Sequence, residues 1–329
     1  MRYTGIKKEE WDSALVQLLE SQTIFATFSN EAGQDYELIN KENVSLISYN
    51  HPGPSTPLKT FFLPVKENVT SARKKTRPRT IIGTPNCDIE ALKLLDSIYL
   101  DGEFDDLFYR ERRENTTIIS SDCFSVQEHC HCLLYGIKPW SSMSDISIVL
   151  LDGTMILGII SEKGEQFISG MRCSQTEVHG VIKQIIEDKH KIAEDSLKKL
   201  PVNLPGYEKA GELIGRSEKT FWEKHCSGCV SCGACAAICP TCTCFLLIDK
   251  PGFEKLKQMD ACQYPGFERV AGGEDALFEL HNRFKNRYMC KYVWKPGKSH
   301  AIACTGCGRC IAACIGKINK NEVLRELAG

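Results

Sequence analysis

A chain of 329 residues, 42% hydrophobic and 25% charged, carries enough apolar material for about two ordinary globular domains. Its net charge of −1 argues against bulk electrostatic attraction to nucleic acid or to an anionic membrane. Eighteen cysteines would suit a secreted disulfide scaffold, but Met1 to Glu10 contains no apolar signal core and the cysteines cluster at ligand spacing, so a reducing cytoplasm is the expected compartment.

Taken along the chain, Glu10 to Glu20 places Trp11, Leu15, Leu18 and Leu19 on one helical face. The basic run Arg73 to Arg79 comes without aromatic interleaving or a DNA-binding motif, so it reads as a solvated loop that could rim an acidic partner protein. Thr80 to Gly83 reads as a short strand. Asp88 is then expected to cap a helix carrying Ala91, Leu92, Leu95 and Ile98 and ending at Asp101-Gly102. Ile118-Ile119 supplies another strand. The most apolar stretch, Ile146 to Ile160, is broken by Asp152-Gly153; it is too short to cross a bilayer and reads as a hairpin. Val178 to Leu200 reads as an amphipathic helix, and Pro201 to Gly206 as the domain boundary. There is no G-x-G-x-x-G and no P-loop, hence no recognisable flavin or nicotinamide site of its own.

The chemistry lies in two cysteine runs near the C-terminus, Cys229-x-x-Cys232-x-x-Cys235-x-x-x-Cys239-Pro240 and Cys304-x-x-Cys307-x-x-Cys310-x-x-x-Cys314. Two-residue gaps let three thiolates on a tight turn reach different corners of one iron–sulfur cube, while the longer gap carries the fourth thiolate toward the other cube. Two 4Fe-4S clusters are therefore expected. The first takes Cys229, Cys232, Cys235 and Cys314, and the second takes Cys304, Cys307, Cys310 and Cys239. Zinc is the competing reading, but four-thiolate zinc sites use two C-x-x-C pairs across a long loop and have no need of three thiolates packed into seven residues. Ile315 stands where proline is usual after the fourth cysteine of such a run. The expected fold class is α+β: a mixed α/β domain over residues 1–205, then a bacterial-ferredoxin-like dicluster domain over 206–329. Arg309 and Lys317, beside the second run, are expected to raise the potential of the nearer cluster.

Ten cysteines lie outside the runs. Cys87 falls at a strand-to-helix junction, where a helix N-terminus favours a thiolate. With Cys123, Cys130 and Cys132 it makes a candidate set for a third cluster, although the spacing matches no standard run and buried cysteines often serve as small hydrophobes. Cys242, Cys244 and Cys262 are expected to line the cluster pocket as tuning groups, and Cys226 to do so or to act as an alternative ligand. Cys173 and Cys290 read as core.

Four stretches carry a family resemblance. They are Gly83 to Asp88 with the helix through Asp96; Asp122-Cys123 with Cys130-His131-Cys132; Cys229 to Phe245; and Ala261 to Phe267, followed by Ala303 to Cys310. Here the chain resembles the iron–sulfur subunit of anaerobic sulfite reductase and, equally, the beta subunit of soluble NAD(P)-linked nickel–iron hydrogenases, the sulfhydrogenases. It departs from the family pattern at His131, where Phe is usual, and at Ile315. The resemblance implies an electron-relay subunit between a flavin/NAD(P)-binding subunit and a catalytic or second relay subunit. It also strengthens the third-cluster assignment of the N-terminal cysteines.

Two other functions compete. A redox-sensing regulator would need a readable output domain such as a helix-turn-helix, and none is present. A stand-alone enzyme would use a non-cysteinyl iron site at His129 or His131, residues that read more simply as cluster neighbours or surface groups.

Overall fold

The computed structural model describes residues 2–31, 33–51, 53–71, 77–101, 103, 105–200 and 203–329. Residues 73–76 of the basic run, together with Gly102, Pro201 and Val202 of the expected stops, lie outside the described residues.

The N-terminal part is built on one eight-stranded sheet in the order β3-β2-β5-β6-β7-β8-β1-β9. Its strands are β1 (Arg2–Lys7), β2 (Thr23–Asn30), β3 (Gly33–Leu38), β5 (Arg79–Thr84), β6 (Thr116–Ser121), β7 (Ile146–Leu151), β8 (Thr154–Ile159) and β9 (Thr176–Glu177). β2, β5, β6 and β7 run parallel, and β7 turns antiparallel into β8 through the hairpin expected at Asp152-Gly153. Both turn residues have positive φ, which suits the glycine and is tolerated by the aspartate.

Neighbouring strand residues point to opposite faces. Ile82 and Ile119 accordingly enter a core with Trp11 and Leu15 of α1 (Lys8–Leu18), while Ile81 and Ile118 enter another with Leu92 and Leu95 of α2 (Asn86–Tyr99) and Tyr109 of α3 (Leu107–Glu114). Burial of each such large side chain contributes about 1.5–3 kcal/mol. α4 (Glu162–Ser169) is capped by Ser161, whose hydroxyl accepts from Gly164 N, and α5 (Gly180–Lys199) follows.

α2 begins at Pro85 with no side-chain cap. Asp88, expected as that cap, instead turns its carboxylate inward, where Oδ2 accepts from Leu58 N at 3.0 Å and both oxygens meet Arg309. A carboxylate with a buried guanidinium in reach gains more there than from two helical N–H groups.

The C-terminal part holds α6 (Tyr207–Arg216), α7 (Lys219–His225), α8 (Ala234–Ala237) in the first cysteine run, and α9 (Leu280–Met289). α9 passes through a π turn, Cys290–Trp294, into α10 (Lys295–Ser299). α11 (Arg309–Ala312) lies in the second run, and α12 (Lys320–Ala328) ends the chain. Trp222, Phe284, Tyr288, Tyr292 and Leu324 form its core. The two parts interlock, because β4 (Lys66–Asn68) pairs with β11 (Glu254–Met259), which in turn pairs with β10 (Phe245–Lys250).

Candidate metal centres

Three groups of thiols come together, and none of the eighteen cysteines is in a disulfide. The first is a cavity of about 500 Å³ bordered by Cys229, Cys232, Cys235 and Cys314, the set expected to share a cluster, with Cys310 also on its wall. Arg287 and Tyr288 project from α9 into the same wall. The guanidinium Nε and Nη2 and the Tyr288 hydroxyl are buried without a hydrogen-bond partner. Unpaired buried donors are costly, and sulfide and thiolate sulfurs of a cube would satisfy them, so these residues fit the group. The rim is open: Cys232 is exposed, as are Val230, at 60%, and Ile315, next in the chain to Cys314, at 67%.

Around the second run the sulfurs meet lysines. Lys291 Nζ donates to Cys239 Sγ at 2.9 Å and to the Ala303 carbonyl at 3.1 Å. Lys320 Nζ donates to Cys304 Sγ at 3.1 Å and to Tyr292 Oη at 2.9 Å. A hydrogen bond from the Cys242 thiol, opposed by burial and helped by Lys291 and Lys59, holds Cys239 well below the usual thiol range. Burial pushes Cys304 upward, but Lys320 and His131 outweigh it and hold the thiol well below its usual range. Cys307 is carried up to about 11 by burial, eased by Arg309, and feels both Cys239 and Cys310. Two of the expected second set, Cys239 and Cys304, thus each meet a buried ammonium group, while Cys307 and Cys310 border the neighbouring cavities.

The third group lies at the carboxyl ends of parallel strands β5 and β6, where open α/β sheets form crevices for ligands. A cavity of about 480 Å³ is bordered there by Cys87, Cys123, Cys130 and Cys132, together with Cys307 and Arg309 of the second run. These are the four thiols named as a candidate set from the sequence, although their spacing matches no standard run. Gly83 lets the strand end kink into place: its φ is +90°, and a Cβ would lie 2.0 Å from Thr27 Oγ1. The helix N-terminus does not make Cys87 a thiolate, because burial, with Asp88 adjacent, pushes its thiol well above the ordinary range. Burial does the same to Cys123 and carries Cys132 up to about 12. Asn86 Oδ1 is buried on the same wall without a partner. Four desolvated sulfurs with no cross-links make a donor set that only a bound cationic centre would charge.

Among the described residues, no three histidine, cysteine or acidic side chains stand close enough to grip a single ion. The first and the N-terminal thiol groups border voids instead, as ligands of a polynuclear cube must.

His131 is not turned toward the N-terminal cavity. Its Nδ1 lies 2.9 Å from the His129 carbonyl and its Nε2 3.1 Å from Lys320 Nζ, which makes Nδ1 the donor and Nε2 the acceptor. Burial and Lys320 push its pKa down. The Cys130-His131-Cys132 segment therefore sends two sulfurs to one site and an imidazole to the other. Gly306 makes this approach possible, since a Cβ there would lie 2.6 Å from Cys132 N, and its carbonyl accepts from His131 N at 2.8 Å.

Arg309 is no free cation for the second cluster, because Asp88 neutralises it in a buried pair, and Lys317 is exposed. The cations placed at the thiols are Arg287, on the wall of the first cavity, and Lys291 and Lys320, which donate to sulfur. The signal for the first two was readable: Arg283, Arg287, Lys291 and Lys295 recur every four residues. Cys226 is buried in the core, with its thiol donating to the Glu223 carbonyl at 3.5 Å. Cys173 packs, half-buried, against the N-terminal core.

Paired cysteine runs with buried cations against their sulfurs are the pattern of an iron–sulfur dicluster region, and the 4Fe-4S dicluster domain family matches residues 228–318. The chain is also similar to sulfhydrogenase 2 subunit beta of Pyrococcus furiosus. The two are 26% identical over 340 aligned positions that cover 99% of this chain and 98% of that protein. No solved structure matches the chain.

Proposed function

We propose that this chain is the iron–sulfur electron-transfer subunit of a hydrogenase-type oxidoreductase complex and carries three 4Fe-4S clusters. The first is held by Cys229, Cys232, Cys235 and Cys314, the second by Cys304, Cys307, Cys310 and Cys239, and the third by Cys87, Cys123, Cys130 and Cys132. Each cluster, when bound, takes up and releases one electron at a time. The observation that carries this reading is that the second run reaches both cavities: Cys310 borders the first and Cys307 borders the N-terminal one. One track thus runs from the sheet crevice through the second run to the exposed rim at Cys232.

The protein's own part is to hold and charge this track. Lys291 and Lys320 place positive charge against the sulfurs of Cys239 and Cys304, and Arg287 lies between the electrostatic fields of Cys235 and Cys310. Each favours the more negative, reduced state of its neighbour. The partners are a flavin/NAD(P)-binding subunit and a catalytic or second relay subunit of the same complex. No helix of the described residues is long and apolar enough to cross a membrane, and eighteen unpaired cysteines suit a reducing cytoplasm.

Iron and acid-labile sulfide analysis of anaerobically purified protein, with an electron paramagnetic resonance redox titration, tests this. Three low-potential cubes are expected, with the two partner subunits co-eluting from native source. Tightly held zinc without labile sulfide would end the proposal.

A further inference from the structure

Two thiols outside all three groups face each other beside a surface groove. β10 and β11 pair with Phe245 opposite Met259, and the ladder continues one step further, Asp260 N donating to the Cys244 carbonyl at 3.0 Å. This extension sets Cys244 against Cys262, thiol to thiol, in a hydrogen bond. Cys262 is buried at 4% exposure. Cys244 is half-open and borders a groove of about 1070 Å³ whose wall includes Phe245, Tyr264 and Phe267, with Glu268 and Arg269 at its edge.

The surroundings favour one sulfur as attacker and the other as resolver. Lys295 Nζ is tied to the Thr241 carbonyl at 2.8 Å and to Thr243 Oγ1 at 2.9 Å, which holds its charge beside Cys244. The Cys262 thiol, with Lys295 and Lys291, lowers Cys244 to about 6, while Cys262 is pushed above the ordinary thiol range. A thiol that ionises near ambient pH and is partly open to solvent, with a second thiol behind it, is the arrangement that thiol–disulfide exchange requires. The pair also adjoins the relay: Cys242, two residues before Cys244, bonds Cys239.

We propose that Cys244 and Cys262 form a redox-active dithiol that reduces a small organic disulfide seated in this groove. Cys244 Sγ attacks one sulfur of the disulfide, the S–S bond breaks, and the first thiol leaves as thiolate and takes a proton. Cys262 then loses its proton and attacks Cys244 Sγ, releasing the second thiol and leaving a Cys244–Cys262 disulfide. Restoring the dithiol takes two electrons and two protons, the reductant being reduced iron–sulfur clusters of this chain. In that last step only, the inference rests on the relay reading above.

The test uses the full-length protein, purified anaerobically with its thiols reduced and its clusters oxidised, freed of reductant and then treated with one equivalent of bis(2-hydroxyethyl) disulfide. Remaining thiols are alkylated and peptides analysed by mass, with iron and sulfide assayed on the same sample. Alkylation of Cys244 and Cys262 should fall together by at least tenfold, and their peptides should appear joined. C262S should trap a mercaptoethanol adduct on Cys244, and C244S should trap none while keeping wild-type iron. Both thiols remaining alkylatable in cluster-replete protein would overturn the dithiol alone, as would iron loss in C244S, which would make Cys244 a ligand. Absence of labile sulfide with the crosslink still forming would sink the relay reading and leave the exchange site standing.

Discussion

Arg309 and Asp88 form a buried, two-pronged ion pair, with Nη1 donating to Oδ2 at 3.2 Å and Nη2 donating to Oδ1. Arg309 Nη1 also donates to the Pro54 carbonyl at 3.0 Å. The pair locks the second cysteine run to the first turn of the helix that bears Cys87. Asp88→Asn leaves the guanidinium buried and uncompensated, at a cost of about 3–5 kcal/mol. Urea denaturation should show that loss, and the double variant with Arg309→Met should recover most of it. A single variant as stable as wild type would mean the pair is not what joins the two parts.

Cross-ligation is separable by single substitutions. Cys314→Ala should remove the cluster otherwise held by Cys229, Cys232 and Cys235, a loss of about four iron atoms, and leave the signal of the second run intact. Cys239→Ala should do the reverse. If both variants lost the same paramagnetic signal, the two fourth cysteines would not be exchanged between runs.

Removing an ammonium group from a ligand sulfur should make the cluster harder to reduce. A hydrogen bond to a charged group is worth about 1.5–3 kcal/mol, which for one electron converts to a fall of about 60–130 mV in Lys320→Met. Lys320→Arg should retain most of the potential. A spectroscopic redox titration measures both, and an unchanged potential in the methionine variant would show that Lys320 serves packing only.

Because Cys244 is held down to about 6, its thiolate should form as pH rises through that value. Its iodoacetamide alkylation rate should rise between about pH 5 and 7 and then level off, whereas an ordinary thiol is still rising at pH 8. In C262A the hydrogen bond that leads this shift is lost, so the midpoint should move upward. Peptide mass analysis after timed alkylation reads the profile.

Gly306→Ala should damage two sites at once. Its φ of +66° strains any side chain, and a Cβ meets the backbone of His131 and Cys132 at about 2.6 Å. A cost of about 1–3 kcal/mol is expected from the strained conformation, with iron lost from the N-terminal cavity before the first run. Iron content and thermal denaturation of the variant test this.

Much of this was legible along the chain. The runs at 229–239 and 304–314, the Asp152-Gly153 hairpin and the helices near residues 8–18 and 180–199 follow from local spacing and hydrophobic period. Asp88 was misread as a helix cap because its true partner lies 221 residues away. For the same reason Arg309 looked like a free cation beside a cluster. The basic repeat Arg283, Arg287, Lys291, Lys295 is visible at helical spacing, but nothing local says that such a charged stripe faces inward. Cys130-His131-Cys132 resembled one donor group, yet its imidazole and its sulfurs serve different neighbours.

What the sequence determined by itself was the chemistry: cysteine number and short-range spacing dictate which thiols a tight turn can present to an inorganic cube. Only the tertiary structure decided which sulfurs share a void, which cations touch them, and that Cys244 meets Cys262 beside a groove. Those relations depend on strand pairing and helix packing between distant segments, where burial and charge act over a few ångströms of space whatever the separation along the chain.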